Sequence, residues 1–260
     1  MKKHIPNLLT LFNLLSGTIA VMFAVNNNLF AAAFFVLLGI FFDFFDGFAA
    51  RVLNVKSELG LQLDSLADVV TSGVVPGVVM YQLLFRAVNE NSFVSTLFEN
   101  VTISGEQSII NNNFKFELIQ FVPFIGLLLT LAAAYRLAKF NIDTRQTDYF
   151  IGLPTPAMAL FITSLPLVLE YAPFSILQSL VSNVYVLIVI TLIFSCLMNS
   201  NIALFALKFN NFSFARNWVE VLFLIFTIIV VILLSVVAIP VIILFYIVFS
   251  LFKTAVVHKK

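Results

Sequence analysis

Long apolar runs separated by short polar breaks limit what this chain can fold into more than any other feature. A helix rises about 1.5 Å per residue, so a segment of about 20 apolar residues crosses a bilayer. Several runs approach or exceed that length, and apolar residues make up 61% of the sequence against 10% charged residues. No water-soluble globular domain of this length has such a composition. The sequence therefore predicts a polytopic membrane protein of the all-α class, built as a bundle of membrane helices.

Eight segments are predicted to span the membrane. They are residues 6–25, 29–50, 62–85, 117–138, 155–172, 181–206, 217–237 and 239–253. The last two form one apolar block that is too long for a single crossing, and the break near Ala238–Pro240 favours a tight helical hairpin. We accordingly predict a membrane domain over residues 1–208 and a C-terminal transmembrane hairpin over residues 209–260.

The basic residues fall almost entirely on one side of this predicted bundle. When the spans alternate from the N-terminus, every Lys and Arg lies on the N-terminal side except Arg86 and Lys115. Because cytoplasmic loops carry an excess of Lys and Arg, both termini are predicted to be cytoplasmic. The polar loop Val88–Phe114 is then external. We expect an integral protein of a bacterial-type inner (plasma) membrane.

Four aspartates adjoin the apolar runs within the stretch DFFDGFAARVLNVKSELGLQLDSLAD, which spans Asp43–Asp68. Charged side chains at membrane depth are costly and usually mark function. Asp43 and Asp46 are three residues apart and Asp64 and Asp68 four apart, so each pair shares one helix face. Two helices meeting across the intervening turn could direct all four carboxylates to one point. Hard oxygen donors without nearby His or Cys favour Mg²⁺, Mn²⁺ or Ca²⁺ over zinc.

The spacing D-x2-D-G-x2-A-R-x8-G-x3-D-x3-D resembles the signature of the CDP-alcohol phosphatidyltransferase family at all of its defining positions. These positions are Asp43, Asp46, Gly47, Ala50, Arg51, Gly60, Asp64 and Asp68. Three further stretches resemble the phosphatidylserine synthase branch of that family: IPNLLTLFNLLSG (Ile5–Gly17), SLADVVTSGVVP (Ser65–Pro76) and RLAKFN…GLPTPA (Arg136–Ala157). The resemblance covers about residues 5–160, and residues 1–208 would hold the six-helix core of the family.

The resemblance implies a reaction as well as a fold. A phosphatidyl group would pass from CDP-diacylglycerol to the hydroxyl of L-serine, giving phosphatidylserine and CMP. Asp43, Asp46 and Asp64 would bind Mg²⁺ or Mn²⁺, two ions in all, and Asp68 would serve both as a metal ligand and as the general base. CDP-diacylglycerol, L-serine, membrane lipids and a second copy of the chain are the expected partners, and no nucleic acid is expected.

A second set of residues is expected to bind CDP-diacylglycerol. It consists of Asn7, Thr10, Asn13, Asp46, Gly47, Ala50, Arg51 and Gly60. The small residues Gly47 and Ala50 would let the nucleotide approach the helix backbone closely. Two alternatives stay open: Arg51 also fits a positive-inside anchor, and the polar residues of the first span could instead satisfy backbone groups at a helix start.

Arg136, Lys139 and Asn141 end the fourth predicted span on its cytoplasmic side. They fit two interpretations equally, as anchors that snorkel to the interface or as residues that bind a substrate phosphate or the serine carboxylate.

Three other functions fit parts of this pattern. Intramembrane prenyltransferases also set aspartates and Mg²⁺ against a diphosphate, but their acidic motifs lack the G-x2-A-R and G-x3-D-x3-D elements found here. A cation transporter would spread acidic residues along several spans, whereas Glu117, Glu170 and Glu220 lie only near predicted helix ends. A sibling enzyme with glycerol 3-phosphate or inositol phosphate as acceptor is the main alternative, and it would need extra cations facing the site.

Overall fold

The computed structural model of the protein describes residues 4–55, 57–90, 120–142, 149–205 and 218–257. Within these ranges helices make up almost all of the regular structure, in agreement with the all-α class. In chain order the helices are α1 (His4–Val25), α2 (Leu29–Val52), α3 (Glu58–Val69), α4 (Val75–Glu90), α5 (Leu128–Ile142), α6 (Thr155–Tyr171), α7 (Ser175–Val181), α8 (Val184–Asn199), α9 (Trp218–Leu234) and α10 (Ala238–Val257). A π-helical turn, Val70–Val74, joins α3 to α4, and short 3₁₀ turns, Val122–Leu127 and Ser235–Val237, precede α5 and α10.

Polar residues in the breaks between apolar runs start several of these helices. The Asn28 side chain accepts a hydrogen bond from the Ala31 amide at 3.1 Å, which caps α2. Ser57 accepts one from the Gly60 amide at 3.0 Å, which caps α3. Such caps satisfy amide groups that have no partner inside the helix, so the same residues that interrupt the apolar pattern also fix where the helices begin.

The outer surface of the bundle is apolar. On α2, the side chains of Phe34, Phe41 and Phe44 are 57%, 54% and 62% exposed, while the small residues Ala32 and Gly39 of the same helix face the interior. Large exposed aromatic side chains with small residues at the helix contacts are typical of helices packed in lipid. The structure therefore agrees with an integral membrane protein.

Among the described residues, four continuous helical segments are long and apolar enough to cross a membrane: His4–Val25, Leu29–Val52, Glu58–Glu90 and Val122–Ile142. Helices α7 and α8 could form a fifth crossing, although they are bent by 71° at the break between them. Residues 155–171, 221–234 and 238–251 form shorter apolar helices. By length and composition these residues support four or five crossings, and the division into eight spans stays a prediction.

A two-stranded antiparallel sheet, which the sequence did not predict, follows α5 and α8. Strand β1 (Tyr149–Ile151) pairs with β2 (Ala203–Phe205), so the predicted span 181–206 ends in a strand. Gly152, directly after β1, has a φ of +74°, and a Cβ there would collide with the Met198 carbonyl oxygen. A glycine is therefore required where β1 turns into α6.

The predicted external loop Val88–Phe114 differs from the structure at its start. Residues 88–90 continue α4, which ends at Glu90, because the polar residues there still complete helical turns and Arg86 bonds Glu90 at 2.8 Å one turn later. The rest of that loop, residues 91–114, lies outside the described residues.

Packing at one end of the bundle creates the environment of the aspartates. Helix α1 runs along α2 and also contacts α3 and the π-helical turn. The first half of α1 therefore lies beside the second half of α2 and beside α3, where the four aspartates occur.

Candidate active site

Three of the four predicted carboxylates meet at one point. Asp43 on α2 and Asp64 and Asp68 on α3 each offer a carboxylate oxygen, and these oxygens lie within 4.8 Å of one another. The Oδ1 atom of Asp64 is buried and has no hydrogen-bond partner in the structure. Clustered carboxylates in an apolar bundle repel one another and are costly to bury without a cation. The donor set and the unpartnered oxygen thus fit a divalent cation such as Mg²⁺ or Mn²⁺.

The fourth carboxylate, Asp46, lies beside this cluster but is held by a different partner. Its Oδ2 atom accepts a hydrogen bond of 2.6 Å from the Thr10 hydroxyl on α1, and its side chain is buried. Asp46 also lines the neighbouring cavity together with Asp64. The two carboxylates therefore connect the cluster to that cavity.

The cavity has a volume of about 680 Å³ and lies between the start of α1, the end of α2 and the start of α3. Its lining includes almost every residue predicted to bind CDP-diacylglycerol: Asn7, Thr10, Asp46, Gly47, Ala50, Arg51 and Gly60. A Cβ added at Gly47 would meet no atom within 4 Å, so the space beside this glycine is open. Residues separated by more than fifty positions in the sequence thus converge on one space.

Asn13 is the member of the predicted binding set that does not line this cavity. It is fully buried, and its amide nitrogen donates a hydrogen bond of 3.2 Å to Oδ1 of Asp68. The structure therefore places Asn13 against the aspartate cluster instead of in the cavity. The sequence does not predict this contact, because the two residues belong to different helices.

Arg136 on α5 is the predicted acceptor-binding residue that interacts electrostatically with the cluster. It is buried, with 7% of its surface exposed, and its guanidinium lies within electrostatic range of Asp68. Its Nε atom has no hydrogen-bond partner in the structure. A snorkelling anchor would direct its charge to the interface, so the burial of Arg136 favours a role in the site.

Lys139 and Asn141 occupy different surroundings. Lys139 is half-buried. Asn141 donates a hydrogen bond of 2.9 Å to the Ser65 hydroxyl and so ties α5 to α3 beside Asp64. Of these three described residues, only Arg136 interacts electrostatically with an aspartate of the cluster.

Two further residues lie near the site but are not among the site residues that the sequence predicts. Thr71, in the π-helical turn, donates to Asn13, and Tyr246 of α10 lies within electrostatic range of Arg136. The threonine falls inside the SLADVVTSGVVP stretch, which was the available signal. Tyr246 lies in an apolar run with no motif around it, so no sequence pattern marked it.

Comparisons of the sequence with known proteins point to one family. The sequence model of the family described as CDP-alcohol phosphatidyltransferase matches residues 3–197. The chain is 32% identical over 157 residues to the CDP-diacylglycerol–serine O-phosphatidyltransferase of Bacillus subtilis (strain 168), covering 59% of this chain and 70% of the relative.

Two further relatives are more distant. The enzyme of the same name from Helicobacter pylori (strain J99) is 29% identical over 159 residues, covering 60% of this chain and 54% of the relative. The archaetidylserine synthase of Methanothermobacter thermautotrophicus is 28% identical over 176 residues, covering 66% of this chain and 61% of the relative. The chain thus spans between about half and 70% of the length of these relatives.

Proposed function

Because the chain belongs to the CDP-alcohol phosphatidyltransferase family, we propose that it transfers the phosphatidyl group of CDP-diacylglycerol to the hydroxyl of L-serine. The observation that carries this proposal is the carboxylate cluster of Asp43, Asp64 and Asp68 beside a cavity lined by the family motif. The printed names of the relatives support serine as the acceptor.

The chemistry requires one bond to form and one to break. The serine hydroxyl oxygen bonds to the phosphorus that carries the diacylglycerol, and the bond from that phosphorus to the bridging oxygen breaks, so that CMP leaves with the electron pair. In such transfers the protein contributes mainly positioning and charge stabilisation. We assign the hydroxyl proton to Asp68, because a carboxylate beside the reacting phosphate can accept it as attack proceeds.

Asp43, Asp46 and Asp64, with Asp68 shared, would hold two divalent cations, Mg²⁺ or Mn²⁺. Such ions supply charge neutralisation at the pyrophosphate and at the attacking and leaving oxygens. The cavity residues Asn7, Thr10 and Arg51 would bind the CDP moiety, since they line the space next to Asp46 and Asp64. Arg136 would bind the serine carboxylate from the opposite helix, α5.

An acceptor panel tests the proposal. Purified protein receives CDP-diacylglycerol and, in separate reactions, L-serine, glycerol 3-phosphate, inositol phosphate or no acceptor, and CMP release is followed. We expect release with serine to exceed release with every other addition. Preferential release with a phosphorylated acceptor would assign the sibling activity instead.

Because Gly47 has no Cβ atom, its replacement with alanine is expected to affect protein stability and substrate binding in opposite directions. Gly47→Ala should maintain or raise the Tm, because alanine is favoured over glycine in helices and the methyl group meets no protein atom. It should raise KM for CDP-diacylglycerol by roughly 5- to 150-fold, the range that steric overpacking of about 1–3 kcal/mol corresponds to. Gly152→Ala is the matched control and should lower the Tm, since its φ is +74°. An unchanged KM in Gly47→Ala would show that substrate does not occupy this part of the cavity.

We further propose that the chain crosses the membrane eight times, with both termini and the active site on the cytoplasmic side of a bacterial-type inner membrane. Residues 209–260 would form the C-terminal hairpin, whose helices α9 and α10 contact each other through Phe226 and Phe245, with ring centroids 4.2 Å apart. A homodimer is the proposed assembly.

Cysteine labelling on intact cells tests this topology. After Cys196 is replaced with serine, single cysteines are introduced at Ser57, which is exposed at the start of α3, and at Asn89, which is exposed at the end of α4. An impermeant thiol reagent should label the cysteine at position 89 and leave that at position 57 unlabelled until the cells are permeabilised. Labelling of position 57 on intact cells would contradict the proposed orientation.

A further inference from the structure

Thr71 lies in the π-helical turn directly after α3 and forms the end of a short hydrogen-bond chain. Its hydroxyl is fully buried and lies 2.8 Å from Oδ1 and 3.2 Å from the backbone oxygen of Asn13. The Asn13 amide nitrogen donates in turn to Oδ1 of Asp68 at 3.2 Å. We propose that Thr71 is a positioning residue for Asp68 and acts through Asn13. This inference rests on the proposed function.

The direction of these hydrogen bonds follows from the chemistry of the groups. An ionised carboxylate only accepts hydrogen bonds, so the amide nitrogen of Asn13 must face Asp68. The amide oxygen then faces Thr71, whose hydroxyl supplies the proton that this oxygen accepts. Without that donor, the amide loses one of the two side-chain hydrogen bonds that fix its orientation, and its buried oxygen is left unsatisfied.

The packing around Thr71 restricts where its hydroxyl can lie. A Cβ added at Gly17 of α1 or at Gly39 of α2 would collide with the Thr71 side chain, in each case as the nearest contact. The Thr71 side chain therefore packs into the space that the two glycines leave, where Oδ1 of Asn13 also lies close to Gly39. Turns of this type inside longer helices occur frequently at functional sites.

The position of Asp68 matters because its neighbours repel it. Asp43 and Asp64 place carboxylate oxygens within 4.8 Å of an oxygen of Asp68, so an unrestrained carboxylate would rotate away from them. The hydrogen bond from Asn13 occupies Oδ1 of Asp68. Oδ2 is then the oxygen that takes the proton from the hydroxyl of the attacking alcohol. Catalytic groups must be held closely to the productive geometry by such supporting contacts.

Conservative variants separate this role from a purely structural one. Thr71→Val keeps the shape and removes the donor, and it should lower kcat by roughly 5- to 150-fold, as the loss of one hydrogen bond to a buried group allows. KM for both substrates should stay within about twofold of the wild-type value, and Thr71→Ser should restore kcat. Thr191→Val is the matched control, because Thr191 is equally buried but donates only within its own helix, to Leu187. If Thr71→Val does not fold, Thr71→Cys keeps the size, weakens the donor and serves the same comparison.

A double-mutant cycle gives the decisive readout. In an Asp68→Asn background the carboxylate is gone, so adding Thr71→Val should lower kcat no further. The cycle is measured as CMP release with whichever acceptor the wild-type protein uses, so a failure of the serine assignment would appear separately in the wild-type reaction. An unchanged kcat in Thr71→Val, or an equal loss in both backgrounds, would overturn the positioning role.

Discussion

Replacing Asp68 with asparagine should lower kcat by about 10²–10⁴-fold, the range expected when a general base is removed. Asparagine preserves the size of the side chain and can still bond to Asn13, but it cannot accept the hydroxyl proton. KM for CDP-diacylglycerol should change little, because Asp68 does not line the cavity. The measurement is steady-state CMP release at saturating serine.

Two comparisons make this result specific. Glu170→Gln removes an exposed carboxylate near the α1–α2 turn, away from the cluster, and should leave kcat unchanged. Measuring the activity of Asp68→Asn at increasing Mn²⁺ concentration distinguishes a general base from a metal ligand, since added metal cannot replace a missing proton acceptor. Restoration of Asp68→Asn to near wild-type turnover by metal would show that Asp68 is only a ligand.

Removal of divalent cations should abolish CMP release, and added Mg²⁺ or Mn²⁺ should restore it. The physical reason is the convergence of Asp43, Asp64 and Asp68, whose carboxylates lie too close together to face a pyrophosphate without a cation between them. The measurement is activity in excess chelator followed by a metal titration. Full activity in excess chelator would exclude a metal-dependent reaction.

Asp43→Asn extends this prediction to a single ligand. It should raise the Mn²⁺ concentration needed for half-maximal activity and be partly rescued at high metal, because one ligand of several is lost while the proposed base remains. Isothermal titration of the protein with Mn²⁺ provides a readout independent of turnover. Equal metal affinity in Asp43→Asn and the wild type would remove Asp43 from the ligand set.

The sequence predicted that the motif residues come close together because they occur at fixed helical spacings, and their roles in the site stay predictions. Asp64 and Asp68 share one face of α3 as four-residue spacing requires, and the small residues of the motif line the cavity. The predicted span 29–50 begins at the residue where α2 begins, Leu29.

Contacts between distant helices could not be predicted in the same way. The hydrogen bonds of Asp46 with Thr10 and of Asp68 with Asn13 depend on the register of α1 against α2 and α3, which single-helix periodicity does not determine. The π-helical turn that places Thr71 has no distinct sequence signal. The short sheet was missed because β2 lies at the end of an apolar run that periodicity alone cannot separate from helix. Strand β1 has only three residues and lies between two predicted spans, where no alternating pattern can be recognised.

The most direct test of the account follows the oxygen that forms the new bond. Purified protein is incubated with CDP-diacylglycerol and with serine that carries a heavy oxygen isotope in its side-chain hydroxyl, and both products are analysed by mass spectrometry. If the hydroxyl attacks the phosphorus bearing the diacylglycerol, the label appears in phosphatidylserine and CMP carries none. Phosphatidylserine without the label, or phosphatidic acid as the sole lipid product together with a labelled serine ester of CMP, would contradict the proposed transfer.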